Sequence, residues 1–263
     1  MKSIVSPLMC IFLLVSCATV PITGRTQLTL LPGGELTQMG LASYQQILSE
    51  STLSSNRAQV DQVRRVGQKL STATESYLRG LGYPTDQYRW EFNLIDAPDT
   101  VNAFCLPGGK IAVYSGLLPI AQDDAGLATV MGHEIAHALA QHGNERMSQA
   151  MIVQMGGQAL SVAVRNQPAR TGQIFMQSYG MVSQVGGLLP FSRLHETEAD
   201  RIGLTLMALA GYDPRNAVGF WERMNNDDGA RTPQWLSTHP NPWQRVEQLK
   251  SFMPEALAVY NRR

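Results

Sequence analysis

The chain has 263 residues, of which 44% are hydrophobic and 16% are charged, and its 21 Lys and Arg balance its 21 Asp and Glu. This length allows one good-sized domain with a substantial core, or at most two small domains. A balanced charge without a long basic face gives no electrostatic reason to bind nucleic acid, and we exclude nucleic acid as a partner.

The N-terminal segment has the pattern of an export signal. Lys2 gives it a positive start, Leu8 to Val15 are apolar, and Leu14-Val15-Ser16-Cys17 ends it. The apolar stretch is too short to span a bilayer comfortably, which favours an export signal over a transmembrane helix. The last four residues resemble the lipobox of bacterial lipoproteins, in which the cysteine is acylated after cleavage. A plain signal peptide with an incidental cysteine is the alternative.

The lipobox resemblance implies an organisation for the N-terminus. We expect a signal peptide at residues 1–16, a lipid on Cys17 and a tether over residues 17–35, where glycine and proline are frequent. Ala18, a non-acidic residue after the cysteine, implies the periplasmic face of the outer membrane in a bacterial cell envelope. The acyl chains would anchor the protein by burying methylene groups. Cys105 would be the remaining thiol, so we expect no internal disulfide.

The predicted domain covers residues 36–263 and begins with a helical pattern. Its clearest helical spacing is that of Val60, Val63, Gly67 and Leu70. Tyr88 to Leu94 then alternates between apolar and polar residues, which predicts a half-buried strand. A second short strand is predicted at Lys110 to Tyr114, after the turn Pro107-Gly108-Gly109.

Helices are predicted for most of the second half. Asp123-Asp124 can cap a helix that runs to about Gln141 and is ended by Gly143. Another helix is predicted from Glu196 to Ala210, ended by the glycine that follows, and Asp213-Pro214 starts the next helix. A small sheet among more numerous helices predicts an α+β fold.

The first of these helices contains a metal-binding motif, His133-Glu134-Ile135-Ala136-His137. Residues four apart share one helical face, so both imidazoles can bind one ion. Glu134 lies one position round the helix, close enough to act on a water at the metal without ligating the ion. The spacing is typical of zinc peptidases, in which the glutamate is the general base. Two core or capping histidines are the alternative interpretation.

A catalytic zinc has three protein ligands and an open position for water. One type of zinc peptidase places its third histidine six residues after the second, following a glycine turn. Ala140 and Gly143 occupy the places of that glycine and that histidine here, which excludes a third histidine ligand of this type. His142 lies about 140° round the helix from His137, and we interpret it as a helix-end residue or as a support for a ligand.

The remaining candidates are carboxylates of the second helix, within Leu194-His195-Glu196-Thr197-Glu198-Ala199-Asp200. Glu196 and Asp200 share one face, so that one can ligate while the other orients a histidine ring. Glu198 points about 160° away from that face. We therefore prefer Glu196 as the third ligand and keep Glu198 as the alternative. Without the upstream motif, the segment would be an ordinary acidic helix start.

These motifs, together with Ser192-Arg193, resemble the gluzincin peptidases related to HtpX and the CAAX prenyl proteases, and most closely their periplasmic lipoprotein members. Asn102-Ala103-Phe104 and the stretch from Gly109 to Gly116 resemble the substrate-edge strand of that family. Thr238-His239-Pro240 with Arg245 resembles its C-terminal His-Pro motif. The matches lie between residues 102 and 245.

The resemblance implies a mostly helical, zincin-like domain whose small β-sheet borders the active-site cleft. It also implies Glu196 as the third ligand and Asp200 as the partner that orients a ligand. His239 would lie near the open zinc position, where it either blocks that position or stabilises the oxyanion.

The expected function is that of a zinc metalloendopeptidase with one Zn²⁺ per chain, acting in quality control on unfolded or misassembled envelope proteins. We expect the polypeptide to lie extended beside Lys110 to Tyr114 and to add a strand to the sheet edge. The alternatives are a periplasmic chaperone or assembly factor with a blocked or structural zinc, and a metal-binding lipoprotein without catalysis. Glu134 favours the peptidase, because a structural site needs no general base beside its first ligand.

Overall fold

A computed structural model describes residues 17–155, 168–179, 192–225, 234–239 and 242–262. In these ranges helices are more numerous than strands, which confirms the predicted α+β class. The helices are α1 (Gly33–Glu50), α2 (Arg57–Gly80), α3 (Leu118–Ala121), α4 (Asp124–Leu139), α5 (His142–Met155), α6 (Pro168–Ser178), α7 (Arg193–Leu209), α8 (Asn216–Asn225), α9 (Gln234–Thr238) and α10 (Pro242–Tyr260). The strands are β1 (Cys17–Thr19), β2 (Thr26–Leu28), β3 (Glu91–Ile95), β4 (Ala103–Leu106) and β5 (Lys110–Tyr114).

The larger sheet has three strands in the order β3-β5-β4, with β3 parallel and β4 antiparallel to β5. The strand predicted at Lys110 to Tyr114 is confirmed as β5. The other predicted strand begins later than expected, at Glu91. Tyr88 and Trp90 instead stack on each other, with ring centroids 5.0 Å apart. The backbone N–H of Arg89 donates to the carbonyl of Gly108 at 2.8 Å, so this segment runs beside the turn that precedes β5.

Helix α2 covers the sheet with the apolar face that the sequence predicted. Val63 and Leu70 are fully buried. Gly67 lies against the Phe92 ring of β3, and a Cβ at this glycine would come within 2.3 Å of that ring. A side chain at position 67 would therefore push the helix off the sheet.

Helices α4 and α7 pack against each other through glycines, and this contact positions the site. The side chain of Asp123 accepts from the N–H of Gly126 at 2.8 Å and caps α4, as predicted. A Cβ on Gly203 of α7 would lie 3.1 Å from the backbone nitrogen of His133. The close approach of the two backbones brings the histidine motif within reach of the carboxylates at the start of α7.

Two predicted helix boundaries are corrected by the structure. Helix α4 ends at Leu139, Gln141 takes a left-handed backbone with φ of 51°, and α5 starts at His142. Gly143 therefore does not end the helix but lies inside α5, where a Cβ would come within 2.2 Å of the Tyr179 ring. Helix α8 starts only at Asn216, because the carboxylate of Asp213 accepts from the N–H of residue 215 in a turn before the helix.

The segment that we expected to be a tether is folded against the domain in the described structure. β1 and β2 pair as an antiparallel hairpin, with Ala18 opposite Gln27. Val20 is fully buried in the core, and Arg25 is ion-paired with Glu198 of α7. The signal peptide predicted at residues 1–16 lies outside the described residues, and the lipid on Cys17 stays a prediction. Across the described ranges, no helix has the length and apolar character to cross a membrane.

Candidate metal centre

Four predicted site residues converge at one point. Helix α4 presents His133 and His137 one turn apart, α7 presents Glu196, and His239 follows directly after α9. Each offers a ligand atom, and these four atoms lie within 4.8 Å of one another. The Nε2 atoms of the two motif histidines are 2.9 Å apart, and Glu196 Oε1 is 3.3 Å from His137 Nε2. All four side chains are buried.

Glu198 is not part of this cluster. It faces the other side of α7, where its Oε2 lies 2.9 Å from Nε2 of His142. Of the two carboxylates that the sequence left as candidates, the structure thus brings Glu196 to the histidines. The role of Glu196 as a ligand stays a prediction.

Asp200 lies where the helical spacing placed it, one turn after Glu196. Its Oδ1 is 3.0 Å from Nδ1 of His133, and its Oδ2 accepts from Nε of Arg245 at 2.6 Å. A carboxylate can only accept, so Nδ1 of His133 is the donor, and Nε2 is the nitrogen left to bind a metal in the cluster. Arg245 of α10 is itself fixed, since its guanidinium lies 3.8 Å from the ring centroid of Trp221.

The charge states of the cluster fit a zinc site. Burial opposes ionisation of Glu196, but the electrostatic effects of His239 and Arg245 and hydrogen bonds from the motif histidines hold its pKa well below the usual value. Burial and the neighbouring His133 hold the pKa of His137 well below the usual value. An ionised carboxylate and a neutral imidazole are the forms that ligate zinc.

The pKa of His133 moves in the opposite direction. Burial and the charge of Arg245 both oppose its protonation. Hydrogen bonds to Asp200 and Glu196 outweigh them and raise its pKa. A proton therefore competes with a metal for His133 more strongly than it does at an ordinary histidine.

Glu134 faces a cleft beside the cluster. Its Oε1 accepts from the indole Nε1 of Trp235 at 2.8 Å and lies 3.5 Å from Nε2 of His239. No sequence motif predicted a role for Trp235, which also stacks on His239 with ring centroids 4.3 Å apart. The cleft is lined by Asn102, Ala103, Phe104, Cys105, Glu134, His137, Gly143, Tyr179, Thr238 and His239.

His239 bridges the proposed base and the proposed ligand. Its Nδ1 is 2.9 Å from Glu196 Oε1 and 3.3 Å from His133 Nε2. The structure thus brings His239 into the cluster, as the resemblance implied. Whether it blocks a metal position or stabilises an oxyanion stays a prediction.

The expected position of the substrate beside Lys110 to Tyr114 is corrected by the sheet order. This strand, β5, is the centre of the three-stranded sheet and pairs with a strand on each side. In the described part of the chain, the strand that is both at the sheet edge and in the cleft lining is β4, through Ala103, Phe104 and Cys105. Strand order is set by tertiary packing, which alternation of residues along one strand does not encode.

A histidine motif on one helix and a carboxylate on a second helix, both beside a buried glutamate, define a site of the metallopeptidase class. A family model described as "Peptidase family M48" matches residues 62–253. The chain therefore belongs to peptidase family M48. Members of this family use zinc, and the cluster of His133, His137, Glu196 and His239 can accept that metal. The finer resemblance to the HtpX and prenyl-protease branch stays a prediction.

Named relatives come from mitochondria and bacteria. The chain is 37% identical to mitochondrial metalloendopeptidase OMA1 of Saccharomyces cerevisiae over 183 residues, which is 66% of this chain and 50% of the relative. It is 34% identical to the mitochondrial metalloendopeptidase OMA1 of Danio rerio, over 91% of this chain and 51% of the relative. Identity to the beta-barrel assembly-enhancing protease of Escherichia coli is 26%, over 90% of this chain and 47% of the relative. The chain thus spans about half the length of these curated relatives.

Proposed function

We propose that this protein is a zinc-dependent endopeptidase that hydrolyses internal peptide bonds of polypeptides. The observation that carries the proposal is the position of Glu134. Its carboxylate lies in the cleft beside His137 and His239, next to a cluster that can hold one metal ion. A structural metal site does not need a carboxylate aimed into an adjoining cleft.

In this proposal His133, His137 and Glu196 hold the zinc, which when bound polarises the scissile carbonyl and lowers the pKa of water. Glu134 accepts the proton of the attacking water and passes it to the leaving amine. The indole N–H of Trp235, 2.8 Å from Glu134 Oε1, fixes the carboxylate so that its other oxygen can accept that proton.

His239 lies close enough to act in either of two ways. Its Nε2 is 3.5 Å from Glu134 and its Nδ1 is 2.9 Å from Glu196, so that it can occupy the position of the attacking water at rest. If it swings away from Glu196, its N–H can instead donate to the oxyanion that forms from the scissile carbonyl.

The substrate is an extended polypeptide that pairs with β4. Strand β4 has its partner β5 on one side and the cleft on the other, which suits the addition of a peptide strand. Backbone pairing selects for an extended chain more than for one sequence, so unfolded or misassembled proteins fit this surface. Cys105 and Phe104, which line the cleft, add an apolar wall for side chains.

The cellular role that fits best is quality control of envelope proteins on the periplasmic face of the outer membrane. Two features support it: the sequence around Cys17, which resembles a lipobox, and the similarity to a bacterial protease named for β-barrel assembly. The similarity to mitochondrial OMA1 proteins supports the peptidase activity but not this compartment.

A second candidate function is that of a chaperone or assembly factor with a blocked zinc. The contact of His239 with both Glu196 and His133 favours it, because a fourth protein ligand would leave no open position for water. In that case the cleft beside β4 would bind polypeptides without cleaving them.

Cleavage of unfolded casein by the purified full chain separates the two candidates. A peptidase digests casein, loses this activity in a zinc chelator and recovers it when zinc is returned. Binding of casein without cleavage, in a protein shown to contain zinc, would contradict the peptidase and support the chaperone. Assaying His239→Ala in parallel tests for a blocked site, because only removal of a block can increase cleavage.

A further inference from the structure

A second buried polar network lies on the Nδ1 side of His137. It joins His142 and Glu145 of α5, His195 and Glu198 of α7, and Arg25 of the N-terminal hairpin. His142 is fully buried and stacks on His195, with ring centroids 4.4 Å apart. The reaction proposed above uses none of these side chains. So many buried polar groups are costly to a fold unless their hydrogen bonds serve a purpose.

The hydrogen bonds of this network have a defined direction. Glu198 can only accept, so Nε2 of His142, 2.9 Å from its Oε2, carries the hydrogen. A neutral imidazole has one N–H, which makes Nδ1 of His142 an acceptor. The 2.9 Å contact between the Nδ1 atoms of His142 and His137 then requires His137 to donate.

This direction determines which nitrogen of His137 can bind a metal. With its hydrogen on Nδ1, His137 keeps a lone pair on Nε2. That Nε2 atom is 2.9 Å from Nε2 of His133 and 3.3 Å from Glu196 Oε1, inside the cluster. His142 therefore orients His137 as Asp200 orients His133, by accepting a hydrogen bond from Nδ1. The acceptor is an imidazole nitrogen in place of a carboxylate oxygen.

Glu198 is held in turn by the N-terminal hairpin. The hydroxyl of Thr23 donates to its Oε1, and Nε of Arg25 donates to its Oε2 at 2.7 Å. The other end of the Arg25 guanidinium is ion-paired with Glu145 at 2.9 Å. These contacts fix both oxygens of Glu198 and keep one of them directed at His142.

We propose that His142 is a positioning residue for the metal ligand His137, and that Glu198, held by Thr23 and Arg25, sets the direction of its hydrogen bonds. The inference rests on the proposed function, in which His137 holds zinc. The N-terminal hairpin, which holds Glu198, then helps to support the metal centre.

The test is the zinc affinity of the full chain, measured by competition with a chromophoric chelator. His142→Phe keeps the ring stacked on His195 but removes both hydrogen bonds, and we expect zinc binding about 10- to 100-fold weaker. His142→Asn places an amide oxygen near the former Nδ1, where it can accept from His137, and we expect it to recover most of the loss. Wild-type affinity in His142→Phe, or an equal loss in both variants, would overturn the proposal.

Glu198→Leu and Glu145→Leu form a matched pair that decides the question even if His142→Phe does not fold. Each removes one ion pair with Arg25, so the thermal stability of the zinc-free proteins should fall by similar amounts. Glu198 accepts a hydrogen bond from His142 and leucine cannot, so Glu198→Leu should weaken zinc binding about 10-fold, while Glu145→Leu leaves it unchanged. Equal zinc affinities in the two variants would refute the role of Glu198 in orienting His142.

The same measurements keep this inference separate from the proposed function. A wild-type chain that binds zinc and cleaves casein, with His142 and Glu198 variants of unchanged zinc affinity, refutes only the positioning role. A wild-type chain that binds no zinc overturns both.

Discussion

Replacing Glu134 by Gln tests the chemistry of the proposed site with little change to its structure. The glutamine keeps the length of the side chain, and its amide oxygen can still accept from Nε1 of Trp235, which is 2.8 Å from Glu134 Oε1. The variant therefore loses the ability to accept a proton but not the contact that holds the side chain. General base catalysis contributes about 10²- to 10⁴-fold. We expect kcat to fall about 10³-fold, which corresponds to about 4 kcal/mol in the activation barrier.

The assay is cleavage of a fluorescently labelled unfolded protein, with zinc content and thermal stability measured on the same preparation. Glu75→Gln is the matched control, because Glu75 also accepts from an indole, Nε1 of Trp90, at 2.7 Å, but belongs to α2 outside the cleft. Glu75→Gln should retain full activity. Wild-type turnover in a zinc-loaded Glu134→Gln protein would refute Glu134 as the base, and equal losses in both variants would show that the effect is not specific to the site.

The remaining predictions concern the ligand, the acid stability, the anchor and His239. Glu196→Gln should lose zinc on purification, whereas Glu198→Gln should still copurify with it; metal analysis showing the reverse ranking would make Glu198 the ligand. Burial opposes ionisation of Glu145, but His195 and Arg25 lower its pKa to about 2. Its contribution to stability is therefore present above the unfolded pKa near 4.5 and lost as the pH falls to about 2. Urea unfolding of Glu145→Gln should show a shallower loss over that interval, and identical slopes would refute the assignment. Cys17→Ser, if still exported, should leave the membrane fraction, and retention in the pellet after a high-salt wash would contradict a lipid anchor. His239→Ala should raise basal cleavage if His239 blocks the water position and lower it if His239 stabilises the oxyanion, while unchanged cleavage would exclude both roles.

The elements that the sequence predicted well are those whose signal is local. The helical spacing around Val63 and Leu70 and the capping aspartate before α4 are readable from the chain, and both are present in the structure. The four-residue spacing of His133 and His137 places two imidazoles together on any helix, whatever that helix packs against. The same argument on α7 separated Glu196 from Glu198.

The features that the sequence did not predict depend on contacts between distant segments. Trp235 reaches Glu134 across 101 positions of the chain, and no local pattern marks it as a partner. Pro32 and the glycines beside it suggested a loose tether, yet Val20 and Arg25 in the same segment gain core and ion-pair contacts that outweigh the local preference. The strand at the sheet edge beside the cleft could not be assigned either, because β4 and β5 are both mostly apolar and only their packing decides which is central.

At the start of α7, helical spacing was sufficient to predict the contacts of Glu196 but not those of Glu198. Glu196 and Asp200 share the face that meets α4, and both contact His133. Glu198 was set aside as a ligand because it points away from that face. It reaches the other motif histidine by a route that helical spacing could not show: α4 ends at Leu139, the left-handed turn at Gln141 redirects the chain, and His142 begins a new helix between them. Had α4 run to about Gln141 and ended at Gly143 as predicted, His142 would have pointed about 140° away from His137. The break in the helix thus allows α7 to support both motif histidines, His133 directly and His137 through His142.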